Sequence, residues 1–132
     1  MNDRIPLVVF TDLDGTLLDH DSYSWEAARP ALDLLQRRGA ALVLASSKTA
    51  AEIAPLRADL GAANWPAIVE NGAGVLAGGA AADDDCADYA ALRRVLSRVT
   101  PSLRAQCRGF GDMDAIEVAR ITGLPPEAAA RA

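Results

Sequence analysis

The chain has 132 residues, a mass of 13.8 kDa, a formal net charge of -5 and a pI near 4.7. That is one domain's worth of globular protein, long enough to bury roughly 68% of the surface its unfolded form would expose. The acidic balance and scattered arginines exclude the basic stripe that neutralises nucleic-acid phosphates, so no nucleic-acid partner is expected. With no run of about 18 apolar residues, no membrane span is expected. Met1-Asn2-Asp3-Arg4 leads directly into an apolar run without the features of a secretory signal, which makes a cytoplasmic location the default. Cys86 and Cys107 have neither zinc spacing nor the density of a disulfide scaffold and read as reduced thiols. An acidic protein acting on an acidic substrate needs a local positive field, and a divalent cation supplies one.

In chain order, Ile5 to Thr11 is a short apolar run closed by an Asp/Gly cluster, the pattern of a strand buried on both faces of a parallel sheet. From Ser24 to Arg38, Ala28, Ala31 and Leu35 recur at helical spacing, with Leu32 and Leu34 widening the stripe. Pro30 sets the start of regular helix, and Gly39 stands at its C-cap position. Ala40 to Ala45 is a second buried strand ended by Ser46-Ser47-Lys48. Thr49 and Glu52 have the form of a capping box opening a helix that ends by Gly61, with an irregularity expected at Pro55. Pro66 to Val69 reads as a third strand, Glu70-Asn71-Gly72-Ala73-Gly74 as a tight turn, and Val75-Leu76-Ala77 as a returning hairpin strand.

Strand, helix, strand, helix, strand is the alternation of a doubly wound, Rossmann-like α/β sheet. Such sheets bind ligands beyond the carboxyl ends of their strands, where Asp12, Ser46 and Asn71 all fall. After Gly79 the texture changes to an Ala/Asp run and then a helix-like segment with Tyr89, Leu92, Leu96 and Val99. Two short helix signals follow, around Asp114 to Ile121 and from Pro126 onward. Residues 1–79 are therefore expected to form one module and 80–132 another.

Phosphate monoesters demand an in-line nucleophile, neutralisation of the phosphoryl oxygens and a proton for the leaving alkoxide. Asp12, at a strand end, can attack phosphorus to give an aspartyl-phosphate; Asp14 can protonate the departing oxygen and then activate water. Gly15 lets the backbone turn closely around the phosphoryl group, and Thr16 can donate a hydrogen bond to it. Carboxylates as near as Asp12 and Asp14 repel unless a hard cation, most simply Mg²⁺, sits between them and the phosphate. An ordinary Asp/Gly turn is the bland alternative. A calcium loop fits less well, because an EF-hand places its glycine sixth and follows a helix, whereas Gly15 is fourth from Asp12 and follows a strand.

Phe10-Thr11-Asp12-Leu13-Asp14-Gly15-Thr16-Leu17-Leu18-Asp19 resembles the first motif of the haloacid dehalogenase superfamily. The resemblance implies that Ser46, ending the second strand, holds the phosphoryl group; taken alone it would read as a helix cap. The strings Asp19-His20-Asp21-Ser22-Tyr23-Ser24-Trp25, Leu44 to Thr49 and Val69 to Ala73 are similar to mannosyl-3-phosphoglycerate phosphatases. That similarity implies an Mg²⁺-dependent phosphatase converting mannosyl-3-phosphoglycerate to mannosylglycerate, with an α/β cap inserted after the third strand. It makes Lys48 and Asn71 candidate contacts to substrate phosphate or glycerate; a solvated lysine and a turn asparagine are the competing readings.

His20 is expected to be a loop residue. Gly111-Asp112-Met113-Asp114 imitates the superfamily's fourth motif, but no apolar strand precedes it, and Asp114 with Glu117 is better read as a helix N-cap with its partner. The family's third-motif lysine and fourth-motif acids are then expected beyond residue 132. The chain would be an N-terminal part with little activity alone, its apolar edge at Leu7 to Phe10 uncovered. A related phosphatase for another sugar phosphate, or a non-catalytic phosphate-binding domain, are the alternative functions.

Overall fold

The computed structural model describes residues 7–81 and 87–131, and the chain divides into two compact units, Met1–Ala82 and Asp83–Ala132. The first is built from β1 (Val8–Thr11), α1 (Arg29–Arg37), β2 (Ala41–Ala45), α2 (Ala50–Asp59), β3 (Ala67–Val69) and β4 (Gly74–Leu76). The sheet order is β1-β2-β3-β4, with the first three strands parallel and β4 antiparallel to β3. This is the expected parallel-sheet α/β core with its hairpin. The first expected strand begins at residues 5 and 6, which lie outside the described residues.

Register explains the core. Thr11 stands opposite Leu44, Leu44 opposite Ala67 and Ala67 opposite Leu76, so these positions share one face of the sheet. Leu44 and Ala67 are fully buried there, in one cluster with Leu42, Val69 and Leu76 from the strands, Ile53 from α2 and Leu13 from the loop after β1. Leu32 and Leu35 of α1 and Leu56 of α2 pack against the same cluster, placing both helices on that face. Fully burying a side chain such as Leu13, Leu44 or Ile53 contributes about 1.5–3 kcal/mol.

The other face differs from expectation. Val8 and Phe10 of β1 and Val75 of β4 alternate away from the helices and are exposed, Phe10 by 64%, so β1 is not buried on both sides. β1 also forms the outer strand among the described residues, with Leu7 exposed beside it. The alternation has a simple cause. Strands that step β1 to β2 to β3 through right-handed crossovers carry both connecting helices on the same side.

Local signals fared well. α1 opens with Pro30 in its first turn and is followed by Gly39 in the left-handed region at φ 65°. Leu34 is exposed rather than part of the buried stripe. Thr49 and Glu52 form both arms of the capping box on α2. Contrary to expectation the helix runs unbroken through Pro55 to Asp59; Pro55 lies in its second turn and forfeits only one backbone donor.

The second unit holds α3 (Ala87–Leu96), α4 (Pro101–Arg104), α5 (Ala115–Thr122) and α6 (Pro126–Ala129). Its described residues contain helices and turns without a strand. Asp114 caps α5 and Glu117 closes the box, so that pair serves the helix as expected. The segment opened by Pro126 forms a four-residue helix ending at Ala129. Arg93 and Arg104 both pair with Asp112, at 2.7 and 3.0 Å, linking α3, α4 and the turn before α5. Cys107 is an exposed free thiol, and Cys86 lies outside the described residues. No helix among the described residues is long and apolar enough to cross a membrane.

Candidate active site

Three parallel strands deliver their carboxyl ends to one rim. Asp12 follows β1 directly, Ser46 follows β2, and Glu70-Asn71-Gly72 follows β3. A cleft of about 500 Å³ opens there, lined by Asp12, Asp14, Ala45, Ser46, Ser47, Ile68, Asn71 and Gly72.

Backbone hydrogen bonds lock the rim. The loop after β1 folds tightly, with the amides of Thr16 and Leu18 both donating to the Leu13 carbonyl, at 3.1 and 2.8 Å. Gly15, at φ 72°, takes the left-handed step this turn requires. Leu13 is fully buried under the sheet edge while its neighbours Asp12 and Asp14 are exposed, so one apolar anchor aims two carboxylates at the cleft. Ser46 is 94% buried by its neighbours, its residual exposure being 6%. Its amide donates to the Ile68 carbonyl at 3.0 Å, and its carbonyl accepts from Asn71 at 3.1 Å. Its Oγ accepts from the Lys48 amide at 3.2 Å.

The turn after β3 is strained. Glu70, Asn71 and Gly72 have φ values of 53°, 55° and 94°, three left-handed residues in succession, two of them not glycine. Each non-glycine step costs of order 1–3 kcal/mol and persists only where the surroundings over-determine it. Here the determinants are the Asn71 bond to Ser46 and the Glu70 amide's bond to the Lys48 carbonyl at 3.0 Å. The strain holds Asn71 at the cleft.

Lys48 ties the three loops together. Its Nζ donates to both oxygens of Asp14, at 2.8 and 2.7 Å, while its own backbone bonds to Ser46 and Glu70. The ammonium also stands 5.9 Å from the centroid of the Tyr23 ring.

Of the residues picked out from sequence, Asp12, Asp14, Ser46 and Asn71 line one cleft, and Lys48 joins it through Asp14. Gly15 and Thr16 shape the loop but are not among the lining residues. Ser47 and Gly72 line the cleft and were not picked out; each adjoins a residue that was. Tyr23 falls within a string that resembles a phosphatase family but was given no role, because its nearness to Lys48 joins segments far apart in the chain. His20 lies in the turn after the first loop, as expected.

Residues 9–99 match the haloacid dehalogenase-like hydrolases. The chain is 37% identical, over 132 aligned residues, to a glucosyl-3-phosphoglycerate/mannosyl-3-phosphoglycerate phosphatase of Methanococcoides burtonii, covering 89% of this chain and 48% of that protein. It is 36% identical to one of the same name from Persephonella marina, covering 90% of this chain and again 48% of the relative. The chain thus spans about half the length of the curated relatives it matches. Among solved structures, a phosphatase of the HAD enzyme superfamily from Bacteroides thetaiotaomicron aligns with a TM-score of 0.52 at 18% identity, over 94% of this chain and 49% of that one. At that identity the likeness is one of fold, the parallel-sheet α/β core described above. The chain belongs to the haloacid dehalogenase-like hydrolase family.

Proposed function

We propose that this chain carries the phosphoryl-transfer residues of a phosphatase acting on a phosphorylated sugar-glycerate, with glucosyl- or mannosyl-3-phosphoglycerate as the substrate class. The observation that carries the reading is the convergence of Asp12, Asp14, Ser46 and Asn71 on one cleft at the carboxyl ends of parallel strands. The substrate class rests on the names of the two relatives.

In this mechanism an Asp12 oxygen attacks phosphorus, the ester bond breaks, and the departing alkoxide takes a proton from Asp14. Water then attacks the aspartyl-phosphate, gives a proton to Asp14, and phosphate leaves with Asp12 restored. Ser46 Oγ and the Asn71 amide hold the phosphoryl oxygens and the glycerate. Lys48 must surrender Asp14 for the first step, and an incoming phosphate or carboxylate anion is the exchange partner its ammonium requires.

The donor set suits Mg²⁺ in kind. No cluster of three metal-ligating side chains occurs among the described residues, but Mg²⁺ is usually held by one or two carboxylates plus substrate phosphate, and Asp12 and Asp14 share the cleft. Asp12 and Asp14 would hold it, Asp14 by an oxygen other than the one that carries the transferred proton, and the ion would supply neutralisation of the phosphoryl charge. Residues 80–132 are taken as the beginning of an inserted cap.

The test is Mg²⁺-dependent phosphate release from mannosyl- and glucosyl-3-phosphoglycerate by the whole protein, beside a panel of other sugar phosphates. Asp12→Asn is expected to abolish an acid-stable, base-labile phosphoenzyme; labelling that survived the substitution would overturn the assignment.

A further inference from the structure

Tyr23 is held in a conformation that its own packing does not explain. At φ 54° it is a bulky aromatic in the left-handed region, where such residues are genuine outliers, and it is 58% exposed. The turn that holds it is over-determined. The Tyr23 amide donates to the Asp19 carbonyl at 3.0 Å, and the Asp19 amide to the Ser24 carbonyl at 2.9 Å. Asp19 Oδ1 accepts from the amide and the hydroxyl of Ser22, at 2.9 and 2.7 Å, and those bonds hold its carboxyl below the usual range. Strain kept in place this way concentrates where a side chain must be presented rather than buried.

The ring's position gives that presentation a direction. It stands beside the ammonium of Lys48, which grips the Asp14 carboxylate in the wall of the cleft. An aromatic face next to a cation, at the edge of a site that takes a phosphate ester, matches the amphipathic surface of a sugar, whose C–H groups pack on a ring while its anionic neighbours meet the cation. We infer that Tyr23 is a specificity-determining residue, the aromatic wall against which the sugar of the ester lies. This rests on the phosphatase reading above and adds to it a residue outside the phosphoryl-transfer set. Tyr23 contributes through the sugar alone, and the phosphoryl and glycerate groups are held without it.

The test compares two ligands of the whole protein that differ only by the sugar, mannosyl-3-phosphoglycerate and 3-phosphoglycerate. Tyr23→Asn removes the ring while keeping a residue that tolerates left-handed backbone. It is expected to raise KM for the sugar ester about tenfold with kcat little changed, the loss of roughly one good ring contact. The inhibition constant of 3-phosphoglycerate should stay within about twofold, and Tyr23→Phe, which keeps the ring, should retain near-original KM. Direct binding of both ligands in an Asp12→Asn background should show the same split without turnover. Equal weakening of both ligands, or no change for the sugar ester, would overturn the role of Tyr23 while leaving the phosphatase reading intact. Absence of phosphate release from any sugar phosphate by the unmutated protein would remove both.

Discussion

Replacing Arg57 by methionine tests how the hairpin that carries the third rim loop is fastened. Arg57 projects from α2, is 2% exposed, and has no carboxylate partner among the described residues. Its Nη1 donates to the carbonyls of Trp65 at 2.9 Å, Leu76 at 3.3 Å and Ala77 at 2.9 Å, and its Nη2 to Ala80 at 2.7 Å. Burial pushes its pKa below the usual arginine value, but the group stays charged. Three of the bonds are short, and bonds from a charged donor contribute about 1.5–3 kcal/mol each before the ion's own desolvation, several kcal/mol, is set against them. Methionine preserves the apolar stem and takes the guanidinium from four carbonyls, of which Ala77 keeps the Ala80 amide at 3.2 Å, so a net loss of about 3 kcal/mol is expected. Lysine can satisfy the three carbonyls that meet at Nη1 but not Ala80 as well, and should cost about 1–2 kcal/mol. Trp25 and Trp65 both lie in Met1–Ala82, so urea unfolding followed by tryptophan fluorescence reads this unit. A methionine variant losing less than about 1 kcal/mol, or a lysine variant losing as much as the methionine one, would refute the carbonyl clamp.

Two further outcomes are expected. Asp112 has its carboxyl held down to about 2, chiefly by Arg93 and then by the Gly109 amide and Arg104. A depressed acid contributes stability above its unfolded value, 3.8, and loses it as pH falls through about 2, so the second unit should weaken across that acid window; Asp112→Asn should lack this dependence in acid titrations followed by circular dichroism. Phe10→Ser should change the unfolding free energy of the first unit by less than about 1 kcal/mol, because the ring is 64% exposed. A loss of about 3 kcal/mol, the cost of truncating a buried aromatic, would show that the outer face of β1 is covered in solution.

What could be read in the sequence depended on how far apart the interacting residues lie. Gly39, the Thr49/Glu52 box and the Asp114/Glu117 box act within one turn of chain, where each residue type has a local physical reason for its position, and all appear as read. The rim was legible for a related reason: short apolar strands that end in Asp, Ser and Asn bring those ends together whenever the sheet is parallel, and β1, β2 and β3 are parallel. The apolar run at Phe10 reads as a strand buried on both faces, because such a run looks the same whether one or both faces are covered; its exposure agrees instead with the uncovered edge expected at Leu7 to Phe10. The Lys48 grip on Asp14, Arg57 on four carbonyls and the Tyr23 ring beside Lys48 are contacts across 34, up to 23 and 25 residues. No periodicity encodes them. Arg57 is the clearest case, a charged side chain only 2% exposed where local preference would leave it in solvent, and Lys48 meets the wall of the cleft through Asp14. Contacts that join two distant segments are set by the fold rather than by either segment, which is why composition and spacing leave them unexplained.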